Sequence, residues 1–153
     1  MKKIIILLLI LMLLLFSGCE KREIYPDTNG SDNYELQTIT TDKLFKTNSF
    51  IVIGFVSTRT QKDEIIKVHQ SAFELNGVRK VEEFEKGKYD IKVDFKVNSG
   101  NTKLVLTDGG NIIYEFNPNE GIINYSFENN SKYFLKIAGE SLDYQLDIEI
   151  TKQ

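Results

Sequence analysis

The chain has 153 residues, 41% of them hydrophobic and 27% charged, with a formal charge of −3. Residues 1–18 hold two lysines and no acidic residue, so the remainder carries a formal charge of −5, enough length for one domain and too little for two. Such a domain has no electrostatic reason to bind nucleic acid, which draws basic patches, and its single cysteine excludes a disulfide framework.

The chain opens Met1-Lys2-Lys3, runs apolar from Ile4 to Phe16, and reaches Ser17-Gly18-Cys19. A positive start, a short apolar stretch and small residues before a cut site define an export signal. About 13 apolar residues fall short of the ~20 that a helix needs to span a bilayer, and the two lysines would stay on the cytoplasmic side. The residues alone also allow a plain secretory signal with a chance cysteine. Phe16-Ser17-Gly18-Cys19 resembles the lipobox of bacterial lipoproteins, although an aliphatic residue is usual where Phe16 stands. That resemblance implies a signal peptide over 1–18, a diacylglycerol on the Cys19 thiol, and cleavage just before it by the lipoprotein-processing enzymes. Fatty acyl chains of the palmitate type would then hold the protein to the extracytoplasmic face of the cell membrane. Two acyl chains give the stable anchoring that one does not, and no thiol is left for other chemistry.

Residues 19–43 read as a lipidated cysteine followed by a flexible tether. They are rich in turn formers: Pro26-Asp27, Asn29 to Asn33, and Thr40-Thr41-Asp42. A flexible chain of that length spans on the order of 25 Å. Tyr34–Ile39 could instead add an edge strand. Residues 44–153 read as the folded domain.

Phe50 to Val56 is β-branched and aromatic on both phases, which predicts a strand covered on both faces with a bulge or close contact at Gly54. Thr60 to Asn76 allows two readings. Thr60 and Asp63 could form a capping box, with Asn76-Gly77 as a helix C-cap; or Ile66–Val68 and Phe73–Leu75 form short strands, which is the preferred reading. Tyr89, Ile91, Val93, Phe95 and Val97 then alternate with Asp90, Lys92, Asp94 and Lys96, the period of a strand with one face buried. Ser99-Gly100-Asn101 predicts a turn, Leu104–Leu106 a strand, and Asp108-Gly109-Gly110-Asn111 a hairpin turn. Strands follow around Ile112–Phe116, Ile123–Phe127, Tyr133–Ile137 and Tyr144–Ile150, with turns at Asn117–Gly121, Glu128–Ser131 and Gly139–Ser141. Short strands joined by Gly and Asn turns predict an all-β, antiparallel, jelly-roll-like β-sandwich.

From about Val81 to Thr151 the chain resembles small lipoproteins of low-GC Gram-positive bacteria. The resemblance rests on Phe84 to Tyr89, Leu104 to Ile113 and Lys132 to Gly139, and the stretch is also distantly similar to pre-peptidase C-terminal and carbohydrate-binding jelly-rolls. These are turn and strand signatures, so they imply a fold rather than an activity. The calcium-binding carboxylates and tryptophans of the carbohydrate-binding relatives have no match.

No catalytic constellation emerges. His69 is the one histidine, without a nucleophile elbow, and one histidine is too few for an ordinary zinc site. Glu82, Glu83 and Glu85 could pair as glycosidase carboxylates, but Lys80, Lys86 and Lys88 surround them and a solvated strand face explains them. Asp108–Asn111 lacks both the spaced oxygens of a calcium loop and the Gly-Lys-Ser/Thr of a phosphate loop. Tyr89, Tyr114, Tyr125, Tyr133 and Tyr144 fall on the apolar phase and read as core. Phe134 falls out of phase and is the aromatic expected to face solvent or to line the opposite side of a central strand. The sequence therefore predicts a membrane-anchored, non-enzymatic binding module, with no catalytic residue, metal site or cofactor and an envelope glycan or protein as ligand. An inhibitor or immunity-type lipoprotein acting on an extracellular enzyme is the alternative, and a hydrolase using His69 is the third reading.

Overall fold

Three strands of 20 or 21 residues dominate the computed structural model, which describes residues 34–153. They are β3 (Ile65–Phe84), β4 (Gly87–Thr107) and β7 (Tyr133–Lys152). Four shorter strands complete one antiparallel seven-stranded sheet: β1 (Phe50–Ile53), β2 (Val56–Lys62), β5 (Ile112–Phe116) and β6 (Ile122–Asn129). A helix α1 (Thr41–Lys46) precedes β1, and a 3-10 turn (Pro118–Glu120) links β5 to β6. The fold is all-β and sandwich-like, as the alternation predicts. Cys19 and the leader lie outside the described residues.

The single sheet makes two layers because the long strands bend. β7 pairs with β3 on one side and β4 on the other, and both ladders shift register near their middles. These central shifts fall at Ala72–Gly77 and Val97–Asn101, beside Gly139–Leu142 of β7, and the β3–β7 ladder shifts once more between Lys80 and Glu82. Arg79 Nη1 donates to Gln70 Oε1 although the two are nine residues apart on one strand; on a straight strand that separation is about 30 Å. Strands that change layer through bulges are a recognised way to build a sandwich corner. Asn76-Gly77, Ser99-Gly100-Asn101 and Gly139-Glu140-Ser141 are thus bends inside continuous strands. The turns expected at the last two are corrected accordingly, as is the pair of short strands expected between Thr60 and Asn76, where the strand reading itself holds.

The front layer runs β2, β3, β7, β4, β6 and the back layer β1, β3, β7, β4, β5. Val68, Ile91, Phe95, Tyr144 and Leu146 from the front meet Leu75, Phe84, Leu104, Leu106 and Ile137 from the back in one buried cluster. The two open sides of the sandwich close differently. Beside β1 and β2, Arg59 bridges to Glu82 at 3.0 Å and Arg79 reaches Gln70. Beside β5 and β6, rings stack in a ladder: Tyr114 on Tyr125 at 4.1 Å, Tyr125 on Phe127 at 6.0 Å, Phe127 on Tyr133 at 5.8 Å.

The outer face of the back layer is covered by a strap, residues 34–47. Leu36, Ile39, Leu44 and Phe45 pack on Val78, Val105 and Ala138. The Thr40 side chain caps the start of α1 by accepting from Lys43 N. Lys136 is 6% exposed and donates to the carbonyls of Leu44, Phe45 and Thr47, which satisfies the end of the helix. Burial pushes the Lys136 ammonium down. Glu140 accepts from the backbone of Gln37, Thr38 and Ile39 and from the Thr38 hydroxyl, at 2.5–2.9 Å. A tether running to residue 43 is therefore corrected: from residue 34 the chain belongs to the compact unit Asn33–Gln153, and Tyr34–Ile39 forms no strand. Its isolated apolar residues escape a periodicity reading because they face a sheet from an irregular backbone.

β1 also departs from expectation. Phe50 and Val52 pack on the core, but Ile51 and Ile53 are exposed, because β1 is an edge strand at the corner and nothing covers its outer face among the described residues.

Gly100 has φ +89°, and a Cβ there would lie 2.3 Å from the Ser141 carbonyl oxygen. Gly100→Ala is expected to lower stability by more than about 1 kcal/mol, read as a reduced midpoint in urea. For Glu140, burial pushes the pKa up, but the strap hydrogen bonds outweigh it and hold it at about 2. A pKa depressed on folding stabilises above the unfolded value, near 4.5, and that stability is lost as pH falls through the folded value. Amide exchange at Gln37, Thr38 and Ile39 should accelerate between about pH 4.5 and 2, beyond its intrinsic pH dependence, and Glu140→Ala should show fast exchange at neutral pH.

Candidate functional site: the open outer face of the front layer

The strap packs on the back layer, and the front layer carries no such cover on its outer face among the described residues. Its inward phase is Val68, Gln70 and Ala72 on β3, so Ile65, Lys67, His69 and Ser71 point out. Antiparallel partners share a face, and the ladders align two cross-strand rows. One runs Thr58, His69, Asp147, Asp94, Ile122; the other Thr60, Lys67, Glu149, Lys92, Asn124. All of them but Asn124 line a shallow depression of about 460 Å³.

The charges on this floor interlock. Lys67 meets Glu149 at 2.9 Å, and that hydrogen bond holds the Glu149 carboxyl below its ordinary range. His69 Nδ1 lies 2.8 Å from Asp147 Oδ1, and Lys96 Nζ is 3.1 Å from Asp94 Oδ2. Asp94 and Asp147 sit directly opposite each other, an arrangement that like charges disfavour; the Lys96 ammonium beside Asp94 offsets it. Among the described residues no group of three or more His, Cys, Asp or Glu side chains could hold a metal ion. Thr58, His69 and Asp147 give a hydroxyl, an imidazole and a carboxylate in line, but only the His69–Asp147 contact is made; Thr58 does not hydrogen-bond to His69. What the surface offers chemically is a mosaic of donors and acceptors suited to a polar ligand lying across the strands.

The other sequence candidates separate from this face. Glu82 turns inward to Arg59. Glu83 is held between Lys132 and Lys80, each at 2.6 Å, and Glu85 lies 2.9 Å from Lys132. The hydrogen bond from Lys132, then that from Lys80, lowers the Glu83 pKa to about 2. Lysines therefore ring Glu83 and Glu85, with Lys132 at the centre rather than Lys86 or Lys88, while Glu82 leaves the solvated face. Asp108 is used up by its own turn: Oδ1 accepts from Gly110 N at 2.8 Å and Asn111 N at 2.7 Å, and Oδ2 from the Asn111 side chain at 3.1 Å. Those bonds, Gly110 first, hold its pKa below the ordinary carboxylate value.

Tyr89 and Tyr144 are buried, and Tyr114, Tyr125 and Tyr133 are half-buried against the core, as their phase predicts. Phe134 is half-buried on the outer back face with Lys80 Nζ 5.7 Å from its ring centre. The exposed aromatic among the described residues is Phe73. Sequence phase hides it because Phe73 and Glu74 are two consecutive exposed residues between buried Ala72 and Leu75, where the ladder shifts register. Neither a protein-family model nor a characterised protein matches the chain.

Lys132→Ala removes the principal donor to Glu83. The Glu83 midpoint is expected to rise from about 2 toward the ordinary carboxylate range, as followed by NMR titration of its side-chain carbon.

Proposed function

We propose that this chain is a bacterial lipoprotein precursor, cut before Cys19 by lipoprotein-processing enzymes and held by lipid on that cysteine at the extracytoplasmic face of the cell membrane. Its β-sandwich acts there as a non-enzymatic binding module of the cell envelope. The observation that carries the reading is the leader: two lysines, an apolar run to Phe16, and Ser17-Gly18 immediately before the sole cysteine. The open front face supports the binding half. Its rows of Lys67, His69, Asp147 and Glu149 present paired donors and acceptors on a rigid five-stranded floor, which suits an envelope glycan or the polar surface of a protein.

One observation favours a second reading, an inhibitor or immunity-type lipoprotein acting on an extracellular enzyme. All seven residues of β2 are exposed, and its outer edge pairs with no strand among the described residues. An unpaired edge is the element a strand-adding inhibitor inserts.

Radiolabelled palmitate supplied to cells expressing the full chain should enter the wild-type protein and not Cys19→Ser. Label retained by the variant would overturn the anchoring.

A further inference from the structure

Four large apolar side chains lie exposed together at one end of the sheet's corner. Ile51 is 75% exposed, Ile53 59%, Val56 52% and Phe73 70%. All four are on the outer phase: Ile51 and Ile53 pair with Asn76 and Glu74, Val56 pairs with Ser71, and the Phe73 ring lies against Gly54 between β1 and β2. From Phe50 to Val56 no side chain carries a charge or a hydrogen-bonding group. Contiguous exposure of this kind marks an interaction surface.

The place where the chain arrives identifies the occupant. The strap enters at Tyr34, whose carbonyl accepts from Thr102 N, and passes to Glu140 through Gln37–Ile39. Thr102, Glu140 and the apolar group share the ridge along which the sheet bends. Asn101 pairs with Glu140, Ser141 N donates to Asn76 Oδ1 at 2.8 Å, and Asn76 pairs with Ile51. Three strand spacings, about 14 Å, thus separate Thr102, which holds the entering strap, from Ile51. Cys19 precedes Tyr34 by 15 residues, a reach of at most about 50 Å fully extended. A lipid on Cys19 therefore holds the ridge within reach of the bilayer, and apolar side chains on a convex ridge can enter the boundary between headgroups and acyl chains.

We propose that Ile51, Ile53, Val56 and Phe73 form a seat on the lipid bilayer surface, a second contact that orients the domain beside its covalent anchor. This rests on the reading that Cys19 is acylated. The seat requires no anionic lipid, since Glu74 lies within the group and the domain is acidic overall.

The chain has no tryptophan, so Phe73→Trp creates a single reporter. Full-length protein carrying this substitution is purified from membranes, its acyl mass verified, and reconstituted into phosphatidylcholine vesicles with brominated acyl chains. Tryptophan emission is expected to shift to the blue and to be quenched. Asn119→Trp, on the exposed turn after β5, should stay unquenched, and Ile51→Asp with Ile53→Asp added to the reporter should abolish the quenching. Ile51→Trp is an independent reporter, in case a larger ring at 73 disturbs Gly54. Acylated protein whose reporters at 51 and 73 both stay unquenched overturns the seat while leaving the anchor intact. Reporters shielded from acrylamide but untouched by brominated lipid overturn it in favour of a protein partner or a second copy. Protein without acyl mass removes the premise and the proposal together.

Discussion

The bend shared by β3, β7 and β4 fixes almost every other relation in the molecule. Three strands that each continue through the corner must turn at the same height, or their ladders would separate. The backbone can do this only where a bulge absorbs the mismatch and where little side-chain bulk stands in the way. Gly77, Gly100 and Gly139 supply that room. A Cβ on Gly139 would press to 2.7 Å from the Leu142 Cβ, and one on Gly77 to 2.3 Å from the Ser49 carbonyl oxygen. Ser141 adopts φ +51° beside them, with its N–H tied to Asn76. Once the corner exists, the inward phases of both layers face each other and the core follows.

The corner also makes the two outer faces unequal. The back layer carries Val78, Val105 and Ala138 outward, and these need cover. The strap supplies it, and two β7 side chains four residues apart, Lys136 and Glu140, hold it at its two ends. The front layer carries lysines and carboxylates outward and needs none. A polar, unobstructed face on one side is the complement of an apolar, covered face on the other, and this division locates the candidate site.

Much of this is legible in the residues, and the failures have physical reasons. The alternation from Tyr89 to Val97 and from Tyr144 to Ile150 assigns buried and exposed faces correctly, because a period of two survives wherever the ladder is regular. The hairpin at Asp108–Asn111 follows from its own turn chemistry. The Gly- and Asn-containing tripeptides at the corner are right in position and wrong in kind. Glycine and asparagine mark where a backbone departs from regularity, but not whether the strand ends there or bends and goes on. Phe73 is invisible for the same reason, since a bulge breaks the phase by which exposure is read. The strap is missed because its contacts, such as Glu140 with Thr38, lie about a hundred residues apart in sequence. The front-face rows depend on register across five strands, which single-strand patterns do not encode.

The clasp on the strap has a mechanical side. Tension that enters the domain through residue 34 first meets the hydrogen bonds of Tyr34 with Thr102 and of Gln37–Ile39 with Glu140. These connect the strap to β4 and β7, two of the strands paired along most of their length on both layers. The strap can peel from the sheet without disturbing the buried cluster behind it, since Leu36, Ile39, Leu44 and Phe45 contribute to a separate cluster on the outer face. A pull at this end is thus absorbed by a sacrificial spring of some dozen residues. Once the strap has given way, the next element along the chain is β1, an edge strand.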